Sequence, residues 1–351
     1  MATIPKITVH EEKVTVYDTV SSQASTIAVI GAFDSEVTAL TNCTSAREAH
    51  TVFGTTSTIG DFKGTDAIDG LFYGASNLLV ANITTWSSDT PATTLTAEKL
   101  ASALAKLHNE EFDILFIAEE LSDTLQTTVT AWLDAEFEDK YCHGQVAQLS
   151  KSSAADYTTS VSKFNNNVYY INTQSLTVNG SSLNLNMSTA FICGLIASLD
   201  VNASLTAKII PGVTAVSPEY DTTAGQIGAK LLELNVPFIA CRNRRNQTYY
   251  CVNSLLPDNY DLYVNRVRDY VLNRITAETY LGEPNSETTV NGIITLMEGV
   301  KQYCVEELGL LKDIVYHVEK TSSTTIDIIV DALVFDGVIT DIDIYYSIEV
   351  Q

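Results

Sequence analysis

Few residues in this 351-residue chain have the types and spacing that chemistry requires. Cys142-His143 sets a thiol next to an imidazole, the raw material of nucleophilic catalysis. Neighbouring residues point apart, however, so this is not the facing pair that activates a thiolate. Asp341-x-Asp343 spaces two carboxylates as a metal ligand pair or a glycosyl-transfer pair would. In an extended chain that spacing puts both on one polar face, and a solvated face accounts for them. The five histidines (His10, His50, His108, His143, His317) are isolated from one another. The six cysteines form no CxxC pair, and several sit in apolar runs such as FICGLIA, which reads as buried free thiols. No phosphate-binding glycine loop, zinc-protease helix, nucleophile elbow or EF-hand loop occurs. The expectation is a protein that is not an enzyme, with no catalytic residue, cofactor or metal.

The arginines are more informative. Six of the seven, Arg242, Arg244, Arg245, Arg266, Arg268 and Arg274, lie within 33 residues, although the whole chain carries a net charge of −23. Residues 313–351 hold eight carboxylates against the single Lys320. A basic window and an acidic tail in one chain suit subunits that must find register against one another. Arginine suits such a surface because its planar fork bonds carboxylates in pairs. The six are therefore a candidate basic interface patch; ordinary surface ion pairs within one subunit are the alternative. The acidic total argues against nucleic acid as a partner, since phosphate contacts need a basic surface.

These residues need elements to carry them, and the clearest is at the end of the chain. In VITDIDIYYSIEVQ, Ile342, Ile344, Tyr346, Ile348 and Val350 alternate with polar neighbours, the period-2 signature of a strand. Five apolar side chains on a terminal strand need a sheet to cover them. At the other end, residues 1–25 read as an arm: Ile7 and Val9, then Val14 and Val16, alternate ahead of a Ser/Thr-rich linker. The N-terminus has no apolar segment of the signal-peptide kind, and no run approaches the ~18 apolar residues of a membrane span.

Between the ends, residues 26–188 read as an α/β domain. Strands are predicted over 26–30, 78–83, 113–118 and 145–149. Helices are predicted over 96–108 and from Ser122, with a shorter one opened by the capping box Ser45-Ala-Arg-Glu48. Strand–helix alternation with short connections implies a mainly parallel sheet. Residues 151–186 read as loops with one strand at 168–171 and a turn at Asn179-Gly180. Residues 189–351 form a mixed α+β region, with an apolar helix at 189–199, helices over 225–234 and 260–280, and another ending near Gly309. Strands are expected at 236–241, 314–318 and 326–330. The fold class is therefore α/β, α+β overall, with an arm at 1–25, a middle domain at 26–188 and an assembly domain at 189–351.

The order of features after residue 189 is TAFICGLIASLD, IIPGVTAVSPEY, GQIGAKLLELNVPFIACRN, YDLYVNRVRDYVLNRI and NGIITLMEGVKQYCVEELG, then the alternating strands. It resembles the C-terminal domain of contractile tail sheath proteins of bacteriophages, phage-tail-like bacteriocins and contractile injection particles. The resemblance covers roughly 189–351, with a looser match over 1–55, and rests on feature order rather than on an invariant signature. It implies a structural subunit that polymerises helically with itself around an inner tail tube and contracts to drive that tube through a cell envelope. It further implies baseplate and tail-terminator proteins as partners, assembly in a bacterial cytoplasm, and no membrane insertion. In this family the N-terminal arm and C-terminal strand join sheets of neighbouring subunits. The matching positions here are Val14 and Val16, and Ile342, Ile344, Tyr346, Ile348 and Val350. Two other readings compete: a flavodoxin-like small-molecule enzyme with an oligomerising tail, and another self-assembling structural protein.

Overall fold

The computed structural model describes residues 25–55, 61–87, 90–108, 110–140, 144–151, 153–162, 168–172, 174–243, 248–257, 260–272, 274–275, 285–322 and 325–335. The arm with Val14 and Val16 and the terminal strand from Ile342 to Val350 lie outside these residues. The chain forms two compact units. Among the described residues, the first holds 25–199 and 204–262, and the second 200–203 and 263–335.

The first unit begins β1 (Thr26–Gly31), β2 (Thr41–Cys43), α1 (Ala46–Phe53), α2 (Lys63–Leu71), β3 (Asn77–Asn82) and the short hairpin β4 (Thr85–Ser87) and β5 (Thr90–Ala92). It continues α3 (Ala97–Leu107), β6 (Ile114–Ile117), α4 (Asp123–Lys140), β7 (Gln145–Leu149), α5 (Ala154–Val161) and β8 (Val168–Asn172). A hairpin of β9 (Ser175–Val178) and β10 (Ser181–Ser182), α6 (Leu185–Ser198), β11 (Val213–Ser217), α7 (Ile227–Glu233), β12 (Ile239–Asn243) and β13 (Thr248–Cys251) follow.

Six strands form one sheet in the order β2-β3-β1-β6-β7-β8, parallel throughout except for the antiparallel edge strand β2. Both faces are covered, which is why its central strands β1, β3 and β6 read as apolar runs. Ile27 and Val29 face one core with Phe53, Ile68, Leu71 and the α6 residues Phe191 and Ile192. Ala28 and Ile30 face the other with Leu100, Leu104, Val129 and Tyr157. The predicted α/β class and mainly parallel sheet are borne out.

Local chemistry sets the helix ends. The Ser45 hydroxyl accepts from the Glu48 amide at 3.2 Å, as the capping box predicts, while the Glu48 carboxylate reaches the Thr44 amide and hydroxyl, both at 2.8 Å. Thr96, Ser153 and Asn184 cap α3, α5 and α6 in the same way. At the turn Asn179-Gly180 both residues have positive φ, 50° and 84°, the geometry of a two-residue hairpin loop.

The helix α6 begins at Leu185 and belongs with the first unit, so the compact units divide the chain at other points than residue 189. The cause is backbone packing against α2. A Cβ on Gly194 would stand 2.2 Å from the Gly70 carbonyl oxygen, and one on Gly74 would stand 2.2 Å from that of Gly194. Only glycine lets two helices approach so closely.

Asp261 anchors the segments flanking the passage between units. Its Oδ2 accepts from the hydroxyls of Ser204 (2.6 Å), Thr206 (3.0 Å) and Ser254 (2.6 Å), and the residue is only 7% exposed. Asp261→Ala removes the acceptor shared by three hydroxyls, of which that of Ser254 is buried, and is expected to cost about 1–3 kcal/mol, read as a lowered thermal midpoint.

The second unit holds α8 (Leu262–Leu272, entering from the first unit), α9 (Glu287–Lys301), a π-helical turn over Gln302–Glu307, and a hairpin of β14 (Asp313–Lys320) and β15 (Ile326–Val334). Its core gathers Tyr263, Val267 and Val271 of α8 with Val300, Cys304, Leu310 and Ile314. Gly309, at φ 60°, ends the helical run as expected. The helix predicted over 260–280 is described only to Leu272.

Candidate assembly surface

The hairpin β14–β15 is a two-stranded antiparallel sheet; among the described residues no third strand pairs with it. One face packs on the unit's core through Ile314, Tyr316, Val330 and Leu333. The other presents Val315 at 43% exposure and Val334 at 37%. Two strands alone are marginal in water. This pair is held by its own unit. The Tyr316 hydroxyl donates to Glu298 of α9, Lys301 of α9 meets Asp313 at 2.6 Å, and the Lys320 ammonium donates to the Asn285 carbonyl at 2.9 Å. The hairpin is thus fixed along its length, and among the described residues no strand pairs with either of its edges.

The pairing is irregular at one place. Val315 stands opposite Ala332 and Tyr316 opposite Val330, so Asp331 is an extra residue in β15, a bulge. His317 Nδ1 lies 2.8 Å from Asp331 Oδ2. Beyond it, Glu319 and Asp327 stand directly opposite each other, a like-charge pair that destabilises a sheet.

The arginines are divided. Arg242 is exposed in the first unit and lies over the Tyr250 ring, 4.8 Å from its centroid. In the second unit Arg266 is buried and donates to the Asp200 carbonyl at 3.1 Å, and Arg268 Nε bonds Asp269 at 2.9 Å. Arg274 is exposed, spans the Tyr270 and Tyr303 rings at 4.9 and 5.0 Å, and donates to the Tyr270 hydroxyl at 2.7 Å. Arg244 and Arg245 lie outside the described residues. Of the described four, Arg242 and Arg274 are the two that face solvent.

Buried thiols are as the apolar runs imply: burial pushes Cys43 and Cys304 up to about 11 and Cys251 to about 12, and lifts Cys193 further. These are unreactive sulfurs. The crevice at the C-terminal ends of β1, β3 and β6 is where an open α/β sheet binds ligands. Here Phe33 is wholly buried, with its ring where a Cβ on Gly64 would stand, and Phe62 stacks on Trp86. A cavity of about 140 Å³ remains, below the ~300–1,000 Å³ of small-molecule sites, and its Lys63 is taken by Glu119 at 3.0 Å and Asp61 at 3.4 Å. No group of side chains suited to a metal, and no helix long and apolar enough to cross a membrane, occurs among the described residues.

Among the described residues, then, a doubly covered parallel sheet is followed by a unit whose hairpin pairs with no third strand. Residues 93–247 match the family described as phage tail sheath protein central domain. The solved structures give the particular likenesses. A chain of the anti-feeding prophage baseplate is 16% identical with a TM-score of 0.67, each chain covered completely. The helical sheath of the same particle in its contracted state is 14% identical with a TM-score of 0.64, covering 100% of this chain and 99% of that one. A sheath tail protein from Listeria innocua is 11% identical with a TM-score of 0.62, covering 87% of this chain and 88% of that one. A search of curated proteins finds no match. The resemblance to contractile tail sheath proteins is borne out, and a structural sheath subunit is supported over the flavodoxin-like enzyme and over other self-assembling proteins.

The sequence missed the three ties from α9 and Asn285 to the hairpin, and the bulge. The ties join residues far apart in sequence, and nothing local marks where an extra residue slips into a ladder.

Proposed function

We propose that the chain polymerises helically around an inner tail tube and contracts to drive that tube through a cell envelope, with donated strands joining its subunits. The observation that carries this is the β14–β15 hairpin, braced on α9 and joined by no third strand among the described residues, in a chain whose remaining residues include the alternating run Ile342 to Val350. A neighbour's terminal strand completes such a sheet by β-augmentation: backbone bonds hold it and alternate side chains set its register. The arm, with Val14 and Val16, is the second donated end. Regions 1–25 and 189–351 together do the assembling, and 26–188 forms the body.

Tube contact falls to the second unit. On α9, Ile293, Met297 and Val300 point inward, while Glu287, Asn291, Ile294, Thr295 and Glu298 face out. That acidic and polar stripe suits a basic tube wall. Arg242 and Arg274 are the described candidates for contact with a neighbour's acidic tail. Subunits assemble in a bacterial cytoplasm between a baseplate and a terminator protein and leave with the particle. Electron microscopy of the purified chain at high concentration, alone and with the tube protein, tests the reading. Hollow helical cylinders are expected; dispersed monomers in both samples would overturn it.

A further inference from the structure

On the strand-accepting reading above, we propose that His317 makes assembly proton-linked: the hairpin takes a neighbour's strand readily when the imidazole is charged and resists it when the ring is neutral. The face that carries His317 is acidic. Asp331 lies 2.8 Å from the ring, Glu319 is two residues along the same strand, and Asp327 stands opposite Glu319. Asp313 is already held by Lys301, Lys320 bonds the Asn285 carbonyl, and Glu298 of α9 accepts from Tyr316 on the core side. Among the described residues, His317 is the basic group paired with this set.

The strand to be added carries more of the same charge. Its polar side holds Asp341, Asp343 and Glu349 with no lysine or arginine. Laying that strand beside Glu319, Asp327 and Asp331 brings like charges together, and a proton on His317 is the nearest relief. The pair already works in that direction within the subunit. The hydrogen bond and charge of Asp331, with the charge of Glu319, hold the His317 proton above the ordinary 6.5. Since the folded value is raised, the contribution of the pair is complete below the ordinary value and fades as pH rises through the raised one. A donated acidic strand raises it again, so polymerisation takes up protons and is favoured as pH falls. One proton per subunit can change the threshold concentration by at most about tenfold per pH unit.

The threshold for polymer formation of the full-length chain, measured by sedimentation at about pH 6 and about pH 8 at one ionic strength, tests this. For the unaltered chain the threshold is expected to be roughly three- to tenfold higher at the alkaline pH, a modest share of the ceiling for one proton. His317→Lys keeps the charge and should polymerise equally well at both. His317→Gln removes it and should polymerise equally poorly at both. His50 forms another histidine–carboxylate pair, with Asp69 at 2.8 Å, and His50→Gln should behave as the unaltered chain does. Circular dichroism of each variant confirms the fold. A pH slope retained in His317→Gln, or absent from the unaltered chain, overturns the proposal. No polymer at either pH, even with tube protein present, instead overturns the sheath-subunit reading beneath it.

Discussion

A chain that stops at Asp341 is expected to fold as the full-length subunit does and to form no polymer. The residues removed include Ile342, Ile344, Tyr346, Ile348 and Val350, the five apolar positions of the alternating run. Burying five such side chains in a neighbour is worth on the order of 10 kcal/mol, at roughly 1.5–3 kcal/mol each. Association costs about 4–15 kcal/mol, so a single donated strand sits near break-even. Two donated ends per subunit, repeated through a lattice, raise the effective concentration and make the polymer firm. That marginality makes the truncation decisive. A net loss of about 4 kcal/mol already raises the threshold concentration roughly a thousandfold. Sedimentation and electron microscopy of the truncated chain report the outcome. Cylinders of normal length would refute strand donation, and an unfolded product would mean that the terminal strand belongs to its own subunit.

The second large effect concerns the first compact unit. Gly194→Ala puts a methyl group 2.2 Å from the Gly70 carbonyl oxygen and 2.8 Å from that of Leu71. Neither atom can retreat, because each belongs to the backbone of α2. Overpacking a core usually costs about 1–3 kcal/mol, and a clash between two helix backbones belongs at the upper end, about 3 kcal/mol. Gly299→Ala in α9 is the counterpart. Nothing lies within 4 Å of its added Cβ, so helix propensity alone acts and a gain of about 0.5–1 kcal/mol is expected. The two glycines lie in different compact units. Urea unfolding followed by circular dichroism should therefore show Gly194→Ala lowering one transition and Gly299→Ala raising the other. Equal shifts for both variants would contradict the packing argument.

What could be read from sequence follows from what local chemistry controls. β1, β3 and β6 were legible because a strand buried on both faces is mostly apolar, and β7 and β8 were legible in spite of the buried Gln145, Gln148 and Asn172. α1 and α3 announce themselves by Ser45 and Thr96. α2 does not: KGTDAIDGL has two glycines and no side-chain cap, and it is a helix because Gly64 and Gly70 let it lie against Phe33 and α6. α5 hid in a Ser/Thr-rich stretch, although Ser153 with Asp156 three residues on was an available signal. The strands of the assembly hairpin were legible from alternation. The pairing of His317 with Asp331 was not, because the bulge shifts the register that an alternation argument assumes. The arginine window was visible as charge, but composition could not tell Arg266, turned inward to Asp200, from Arg274 facing water.

The turn at Asn179-Gly180 also bears on how such a chain could grow. Its two residues close a loop between paired Val178 and Ser181, Ser181 and Ser182 are exposed, and a Cβ at Gly180 would meet nothing within 4 Å. A folded module with neighbouring ends could be spliced in there without disturbing a core side chain, because exposed loop tips are where insertions are best tolerated. The hairpin β9–β10 is thus a mounting point at which a decoration, or a displayed cargo, can be added one copy per chain.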